Sequence, residues 1–441
     1  MLSHLKLENF KIWETTGPTR LAPLTLLLGT NSSGKSSLIQ SLLLIRQTVK
    51  GDDPNLDLNL GNPDANDSLT MGQFTDMLCR HGNATQSLQH NQVGIEFRWK
   101  ETKASIESAI FSAVYRKGVE NSAELNYLRL GKDTKGFIVK RKKVGVYQLK
   151  LDSMARAIGQ SSDFRPQRSF SFSAATINQL GDNAVDIKDI GPELLDELSK
   201  IIYLGPVRQL AQRDYVWAGR SPATIGDDGA KAIDVLIASG VEYQKLIKKG
   251  LPLNDSSRLF DQTIHWLREM NLADGLKVQS LKGSSRYMLL IKNGEEFVNI
   301  KDVGVGVSQV IPVVVAALFA EPGHIVIVEE PESHLHPLAQ SLLANLFSQV
   351  SNERGVQFIL ETHSEHLFRR MQTLVAKDEI SQEDAALYFV EKENSRAKLK
   401  ELRIDDYGRI SDWPDKFFGD AIGETQELAR LMFERQARGT T

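Results

Sequence analysis

The sequence predicts an α/β fold whose main sheet is assembled from both ends of the chain, with the middle inserted between them. Toward the C-terminal end, the apolar runs HIVIVEE, VQFILET and ALYFVEK alternate with helical patterns. Toward the N-terminal end, the apolar run LTLLLG leads through a glycine-rich turn into a helical pattern. This alternation is typical of a mostly parallel sheet that carries helices on its faces.

The middle of the chain has a different pattern. From about residue 93 to 151, alternating runs separated by turn residues predict an antiparallel meander. Helical patterns dominate from about 192 to 271, apart from YLGPVR near Tyr203. The predicted organisation has four segments, which are residues 1–90 (first part of the main unit), 91–155 (antiparallel β lobe), 156–283 (mostly helical insertion) and 284–441 (second part of the main unit).

Composition limits the classes of protein that fit. The 441 residues are 41% apolar and 25% charged, as in a globular protein with substantial cores. A net charge of −3 argues against a globally basic nucleic-acid binder. Cys79 is the single cysteine, so a reducing compartment fits. We expect a cytoplasmic protein, since no apolar stretch of about 18 residues predicts a membrane span and no secretory signal is recognisable.

The segment LLLGTNSSGKSSLIQ predicts a phosphate-binding loop. Its pattern G-x-x-x-x-G-K-S lies between a predicted strand and a predicted helix, which is the context that this motif requires. Backbone N–H groups of such a loop surround the phosphates, the lysine reaches the β- and γ-phosphates, and the serine binds Mg²⁺. The predicted nucleotide-binding residues are Gly29, Thr30, Asn31, Ser32, Ser33, Gly34, Lys35, Ser36 and Ser37.

The segment IVIVEEPESHLHP supplies the acidic residues that such a loop needs. Glu329 is predicted at the tip of a buried strand, where a carboxylate holds Mg²⁺. Glu330 follows it, where a carboxylate can orient and deprotonate the attacking water. The alternative is a transition-metal site built from His334, His336 and the glutamates. That alternative is weakened by Pro337, which predicts the start of a helix.

The strand VQFILET is followed directly by His363. A histidine just past a strand that neighbours the acidic strand can donate a hydrogen bond to the γ-phosphate, so His363 is a candidate catalytic residue. The alternative is a surface histidine next to the following helix. The absence of an Asn-Lys-x-Asp motif for guanine favours ATP over GTP.

Together these motifs resemble the ABC-type ATPase heads of chromosome-maintenance and DNA-repair ATPases, and especially the OLD-like (overcoming-lysogenization-defect) ATPases. The phosphate-binding loop, VIVEEPE, ETHS and KDVGVGVSQVIPVV carry the resemblance. It implies a P-loop NTPase fold with an ABC-ATPase-like head. It also implies a signature loop at residues 304–309, and in this loop Gly306, Ser308 and Gln309 face phosphate. A helix is expected after Ser308. In this family the signature of one subunit closes over the nucleotide of the other, which implies a homodimer.

Weaker features extend the resemblance. LTMGQFTDML looks like the loop whose glutamine approaches Mg²⁺, so Gln73 is a candidate metal ligand. YLGPVRQLAQRDYVW and the terminal DWPDKFF look like a subgroup of OLD-related ATPases without a nuclease domain. Arg208 could contact phosphate or form a structural ion pair there. Lys11 and Trp13 lie where such heads contact the base.

The resemblance implies an Mg²⁺-dependent ATPase in which ATP-driven dimer closure controls a separate effector protein, a nuclease or a toxin, as in bacterial defence against phage. The chain after Ser364 contains no Asp-x-Asp, so the nuclease function of OLD relatives is not carried over. Two alternatives stay open, a hydrolytic effector that acts directly on nucleic acid and a nucleotide-gated scaffold with little turnover. The basic residues 140–143 could touch nucleic acid or form a solvated hairpin tip.

Overall fold

The computed structural model describes residues 1–62, 67–79, 90–101, 108–132, 135–411 and 430. The DWPDKFF segment at 412–418 lies outside the described residues. The strands are β1 (Leu2–Phe10), β2 (Trp13–Thr15), β3 (Thr19–Arg20), β4 (Leu24–Gly29), β5 (Gln92–Trp99), β6 (Ala109–Lys117), β7 (Ala123–Lys132), β8 (Lys135–Lys143), β9 (Val146–Leu151), β10 (Gly159–Ser161), β11 (Ile201–Leu204), β12 (Tyr215–Val216), β13 (Gly275–Ser280), β14 (Arg286–Asn293), β15 (Glu296–Asn299), β16 (Ile325–Glu329), β17 (Gln357–Glu361), β18 (Ala385–Glu393) and β19 (Arg396–Glu401). The helices are α1 (Lys35–Lys50), α2 (Ala174–Leu180), α3 (Val185–Ser199), α4 (Ala232–Lys248), α5 (Asp255–Glu269), α6 (Val305–Phe319), α7 (Pro337–Arg354) and α8 (Glu365–Ala376).

The main sheet has six strands among the described residues, in the order β11-β16-β17-β4-β18-β19. All neighbours pair in parallel except β18 and β19. The predicted α/β fold with a mostly parallel sheet built from both ends of the chain is therefore confirmed. One of its strands, β11, comes from within residues 156–283, so that segment supplies a sheet edge as well as helices.

Strands β4, β16 and β17 are buried on both faces, which explains why they consist of nearly continuous apolar residues. Along β16, Val326 and Val328 face one core together with side chains of α6 and α7. Ile325 and Ile327 face a second core together with side chains of α1 and α3. These central strands thus separate two cores, and β16 and β17 each end in a glutamate.

A second, antiparallel sheet of nine strands covers the α1 side of the molecule, within the described ranges. Its order is β10-β9-β8-β7-β6-β5-β1-β2, with β3 paired to β1. The predicted meander forms β5 to β9, β10 extends it beyond the predicted range by pairing with β9, and β1 continues it at the other edge by pairing with β5. The meander is therefore joined by hydrogen bonds to the strands that precede the phosphate-binding loop.

The helices differ from the sequence expectations at two places. The helical part of the middle segment begins at α2, earlier than residue 192, because Ser173 caps that helix by accepting from the Thr176 N–H. Helix α6 begins at Val305 rather than after Ser308. No helix in the described part of the chain combines the length and apolarity needed to span a bilayer.

Candidate functional site

The phosphate-binding loop joins β4 to α1 and depends on two glycines. Gly29 has φ 146°, and a Cβ there would lie 2.1 Å from the Val390 carbonyl oxygen of the neighbouring β18. Gly34 precedes α1 with φ 109°, and a Cβ there would lie 2.8 Å from Ile12. Trp13 donates through Nε1 to the Gly34 carbonyl, 3.1 Å away. Only glycine fits these two positions without backbone movement.

Lys35 is held inside this loop. Its Nζ donates to the carbonyl oxygens of Gly29 (3.1 Å) and Thr30 (2.9 Å), and its side chain is 3% exposed. Burial lowers the pKa of Lys35, and the carboxylates of Glu361 and Glu330 oppose that shift. The lysine is thus positioned by the loop backbone and surrounded by acidic groups.

The carboxyl ends of three neighbouring strands meet at this loop. Strand β17 lies between β16 and β4, and Glu329 of β16 is in register with Glu361 of β17. The Ser36 hydroxyl donates to Glu361 Oε1 over 3.0 Å, and Lys35 Nζ lies 3.7 Å from the same oxygen. We call this region, residues 29–37, 329–332 and 361–363, the nucleotide end.

Burial dominates the electrostatics of these two carboxyl groups. It raises the pKa of Glu361 to about 7, with the Glu329 charge adding to the effect and Lys35 opposing it. It also raises the pKa of Glu329, against the hydrogen bond from the Tyr203 hydroxyl. That hydroxyl donates to Glu329 Oε1 over 2.8 Å from the neighbouring strand β11. Two buried carboxyl groups side by side favour a bound cation.

Glu330 sits in a left-handed backbone conformation, with φ 47°. Its N–H donates to the Glu361 carbonyl over 2.7 Å, and Oε2 of its side chain accepts from the Ser333 hydroxyl over 3.0 Å. A positive φ at a residue with a side chain costs free energy and persists only where its surroundings impose it. The chain therefore holds the Glu330 carboxylate in a defined direction just beyond Glu329.

Arg208 fixes the turn that carries these glutamates. Its Nη2 donates to the carbonyl oxygens of Glu329 (2.7 Å) and Glu330 (2.8 Å), and its side chain is buried. Burial lowers the pKa of Arg208 to about 10, while Glu332 and Glu330 act in the opposite direction. In this structure Arg208 therefore binds backbone carbonyls next to the site, whereas the sequence left open a phosphate contact or an ion pair.

His363 follows β17 and lies beside the phosphate-binding loop. The backbone N–H of His363 donates to Glu332 Oε1 over 2.7 Å. Partial burial, followed by the charge of Lys35, lowers the pKa of the His363 ring, while Glu330 and a hydrogen bond with the Gly29 backbone oppose that shift. The structure thus brings His363, Lys35 and Glu330 together, as their places in the sequence indicated.

The signature segment, residues 304–309, has a different environment. It forms the N-cap and first turns of α6 instead of the predicted loop. The Ser308 hydroxyl donates to the Val305 carbonyl over 2.9 Å, and Ser308 and Gln309 are buried. A Cβ at Gly306 would lie 2.6 Å from the His334 carbonyl oxygen. Within the described residues, no hydrogen bond links this segment to the phosphate-binding loop of the same chain.

The other sequence candidates are placed as follows. Gln73 accepts a hydrogen bond from Asn121 Nδ2 over 2.8 Å and precedes a 3₁₀ turn over Phe74–Met77. Lys11 donates to Gln40 of α1, and Trp13 is fully buried. Their predicted contacts with Mg²⁺ and with the base stay predictions. In the basic run 140–143, Arg141 pairs with Glu124 at 2.9 Å, so that arginine is committed to a contact within the lobe.

The donors at the nucleotide end fit Mg²⁺. No group of three or more His, Cys, Asp or Glu side chains that could hold a metal occurs among the described residues. Ser36 and the carboxyl groups of Glu329 and Glu361 are hard oxygen donors, which Mg²⁺ prefers, and Mg²⁺ sites commonly use only one or two carboxylates plus phosphate. Glu361 Oε2 is buried and accepts no hydrogen bond from any described residue.

Sequence reasoning missed three residues of this region. Glu361 and Tyr203 act across strands, and Glu332 reaches the backbone of a residue 31 positions away. Their contacts depend on the strand order of the sheet, which no local motif encodes. The signal available in the sequence was a charged residue at the end of an otherwise apolar strand, QFILE.

Two family models match parts of the chain. The family model described as "AAA domain, putative AbiEii toxin, Type IV TA system" matches residues 24–369. A second model, described as "Protein of unknown function (DUF3696)", matches residues 380–428. No curated protein matches the chain by sequence.

The solved structures that are similar to the chain include three heads of SMC proteins. An SmcHead bound to the C-winged helix domain of ScpA has a TM-score of 0.47 at 12% identity, over 91% of this chain and 98% of that chain. An SMC head domain from Thermotoga maritima has a TM-score of 0.42 at 11% identity, over 91% and 99%. An Smc head domain with an extended coiled coil, bound to the C-terminal domain of ScpA derived from Pyrococcus furiosus, has a TM-score of 0.47 at 11% identity, over 91% and 96%.

Proposed function

The chain belongs to the family described as "AAA domain, putative AbiEii toxin, Type IV TA system", and on that premise we propose that it binds Mg²⁺–ATP and hydrolyses it. The observation that carries the proposal is the convergence at the nucleotide end. Lys35 and Ser36 of the phosphate-binding loop contact Glu361 at the end of β17. Glu329 ends β16, the strand on the other side of β17, and Glu330 follows it. A lysine, a hydroxyl and carboxylates in this arrangement are what phosphoryl transfer to water requires.

Each group has a role in the proposed reaction. The loop N–H groups and Lys35 bind the phosphates, and Lys35 neutralises charge on the β- and γ-phosphates. Mg²⁺, when bound, supplies further neutralisation of that charge. Glu330 accepts a proton from the attacking water, and its direction is set by Ser333 and by its backbone conformation. His363, beside the phosphate-binding loop, donates to the γ-phosphate.

We further propose that two chains share each nucleotide. The signature segment makes no hydrogen bond with its own phosphate-binding loop in the described residues, yet it places backbone N–H groups at the start of α6, where anions bind favourably. A second copy of the chain would bring that helix end to the γ-phosphate. ATP binding would then favour the dimer and its hydrolysis would release it.

The biological role that we propose is control of a separate effector, a nuclease or a toxin, in defence against phage. Support comes from the resemblance to OLD-like ATPases and from the toxin and type IV toxin–antitoxin terms in the family description. Nucleic acid stays a further candidate partner.

The nucleotide site is tested by isothermal titration calorimetry with Mg²⁺–ATP. Lys35→Ala removes the cation that faces the phosphates, and such charge-assisted contacts contribute about 1.5–3 kcal/mol. We therefore expect ATP affinity to fall by about 10- to 100-fold. Lys249→Ala, at an exposed lysine after α4, is the matched control and should bind ATP like the parent. Equal affinity in the two variants would overturn the nucleotide site.

A further inference from the structure

Glu361 occupies a position that the proposed roles have not used. It ends β17, which lies between the strand that carries Glu329 and the strand that leads into the phosphate-binding loop. Its side chain is 7% exposed and touches both Lys35 and Ser36. A glutamate at the end of a buried strand is costly unless its charge is compensated, so the position calls for a physical reason.

The hydrogen bond from Ser36 supplies the first part of that reason. A serine hydroxyl has one hydrogen and two lone pairs. The Ser36 hydrogen points to Glu361 Oε1, 3.0 Å away, so the lone pairs of Ser36 Oγ stay available. A hydroxyl oriented in this way can offer its oxygen to a cation. Carboxylates that fix a ligand's hydrogen commonly support metal sites in this manner.

The second oxygen of Glu361 supplies the other part. Glu361 Oε2 is buried, and no hydrogen bond reaches it from the described residues. The Glu329 carboxyl lies beside it across the parallel strand pair. Lys35 forms an ion pair with Glu361 Oε1, while Lys11 acts on Glu329 through its charge. Among the described residues neither lysine donates a hydrogen bond to Glu361 Oε2, so that buried oxygen stays available to a divalent cation.

We propose that Glu361 is an additional ligand of Mg²⁺ beside Ser36 and Glu329. Glu361 orients the Ser36 hydroxyl through Oε1 and presents Oε2 to the cation. The site would take a hard divalent cation together with the phosphates of a nucleotide. This inference rests on the proposed nucleotide site and assigns a residue that lies outside the phosphate-binding loop and the Glu329–Glu330 pair.

The test compares ATP binding with and without metal. All variants carry Glu330→Gln so that ATP persists, and affinity is measured by calorimetry in EDTA and in MgCl₂, with MnCl₂ as a second metal. Glu361→Gln keeps the shape of the side chain and removes its charge. Glu365→Gln, which removes a charge from the first turn of α8 where Glu365 pairs with Arg369, is the matched control. Thermal unfolding without nucleotide shows whether each variant is folded.

We expect Mg²⁺ to tighten ATP binding in the Glu330→Gln parent and in the Glu365→Gln control. In Glu361→Gln, the ratio of ATP affinity in MgCl₂ to ATP affinity in EDTA should be about tenfold smaller than in the parent, which is the size of one charge-assisted contact. Binding in EDTA should be unchanged or tighter, because Lys35 and Ser36 are freed from the carboxylate. The Mg²⁺ effect on ATP affinity in Glu361→Asp should lie between that of the parent and that of Glu361→Gln.

Two results would overturn the inference and leave the nucleotide site standing. One is an unchanged Mg²⁺ effect in Glu361→Gln. The other is an equal loss of affinity in EDTA and in Mg²⁺, which would assign Glu361 to the structure of the loop alone. A parent that binds no ATP under either condition would overturn the proposed function itself.

Discussion

The sequence predicts phosphate contacts for both the nucleotide end and the signature segment, but the two regions are built in opposite ways. At the nucleotide end, charged side chains converge from three strands, and Glu361 and Glu332 each keep one buried oxygen without a donor among the described residues. In the signature segment, the Ser308 hydroxyl is already bonded within its own helix and Gln309 is buried. The nucleotide end therefore holds buried carboxylate oxygens without hydrogen-bond donors among the described residues, whereas the Ser308 hydroxyl of the signature segment already has its partner.

The difference indicates what each region can do alone. Buried groups without partners bind a ligand strongly, since binding relieves an existing cost. A helix start whose side chains are already bonded offers mainly backbone N–H groups and a partial positive charge, which become useful only when an anion is brought to them. We therefore expect the single chain to bind nucleotide and the pair of chains to hydrolyse it.

The largest expected effect falls on the nucleotide end. Glu330→Gln should retain Mg²⁺–ATP binding and slow hydrolysis by about 10²–10⁴-fold, the usual contribution of a general base. Phosphate release and calorimetry on the same preparation measure the two quantities. Glu353→Gln, at an exposed glutamate of α7, is the control and should match the parent. Loss of binding together with turnover would assign Glu330 to nucleotide affinity instead.

The next effect falls on the signature segment. Because Ser308 is buried, an arginine there would disturb the packing of its own chain, whereas Val305 in the same turn is 47% exposed. Val305→Arg should leave ATP affinity within about twofold and lower turnover by about 10²-fold, as for a lost set of transition-state donors. Val144→Arg, at an exposed position of the β lobe, is the control.

Mixing variants sharpens this result. In a mixed dimer of Lys35→Ala and Val305→Arg chains, one of the two shared sites has both an intact loop and an intact signature. Some ATPase activity should return on mixing two inactive preparations. If the signature served its own chain, every combination would stay inactive.

A smaller effect should follow from removing the hydrogen bond that Glu329 accepts from the Tyr203 hydroxyl. Tyr203→Phe removes the hydroxyl that donates to Glu329 Oε1. That hydrogen bond opposes the burial that raises the pKa of Glu329, so without it the carboxylate form that Mg²⁺ requires is less populated. A loss of about 1 kcal/mol would lower Mg²⁺–ATP affinity about fivefold. Tyr388→Phe is the matched control, because that buried hydroxyl donates to the Arg20 carbonyl instead. Equal affinities in the two variants would show that Tyr203 does not support the site.

The parallel sheet, the phosphate-binding loop and the strand before Glu329 were predictable because each rests on local pattern. Apolar runs give strands that are buried on both faces, and the spacing of Gly29, Gly34 and Lys35 requires a turn between strand and helix. The structure bears out these elements as predicted.

The contacts across strands were not predictable in the same way. Placing Glu361 beside Ser36 requires knowing that β17 lies between β16 and β4, and placing Tyr203 beside Glu329 requires β11 at the sheet edge. The start of α6 was misplaced because Gly304 and Gly306 suggested a loop. Gly304 instead precedes the helix as its N-cap, and Gly306 allows close packing against His334.

The central claim is that ATP held at the nucleotide end of one chain is completed by the signature segment of another. Multi-angle light scattering after size-exclusion chromatography of Glu330→Gln, with Mg²⁺–ATP and without nucleotide, tests it most directly. The account predicts twice the monomer mass with ATP, a monomer without it, and a monomer in both conditions for Glu330→Gln combined with Val305→Arg. A mass that does not respond to ATP in Glu330→Gln, under conditions where calorimetry shows ATP bound, would contradict it.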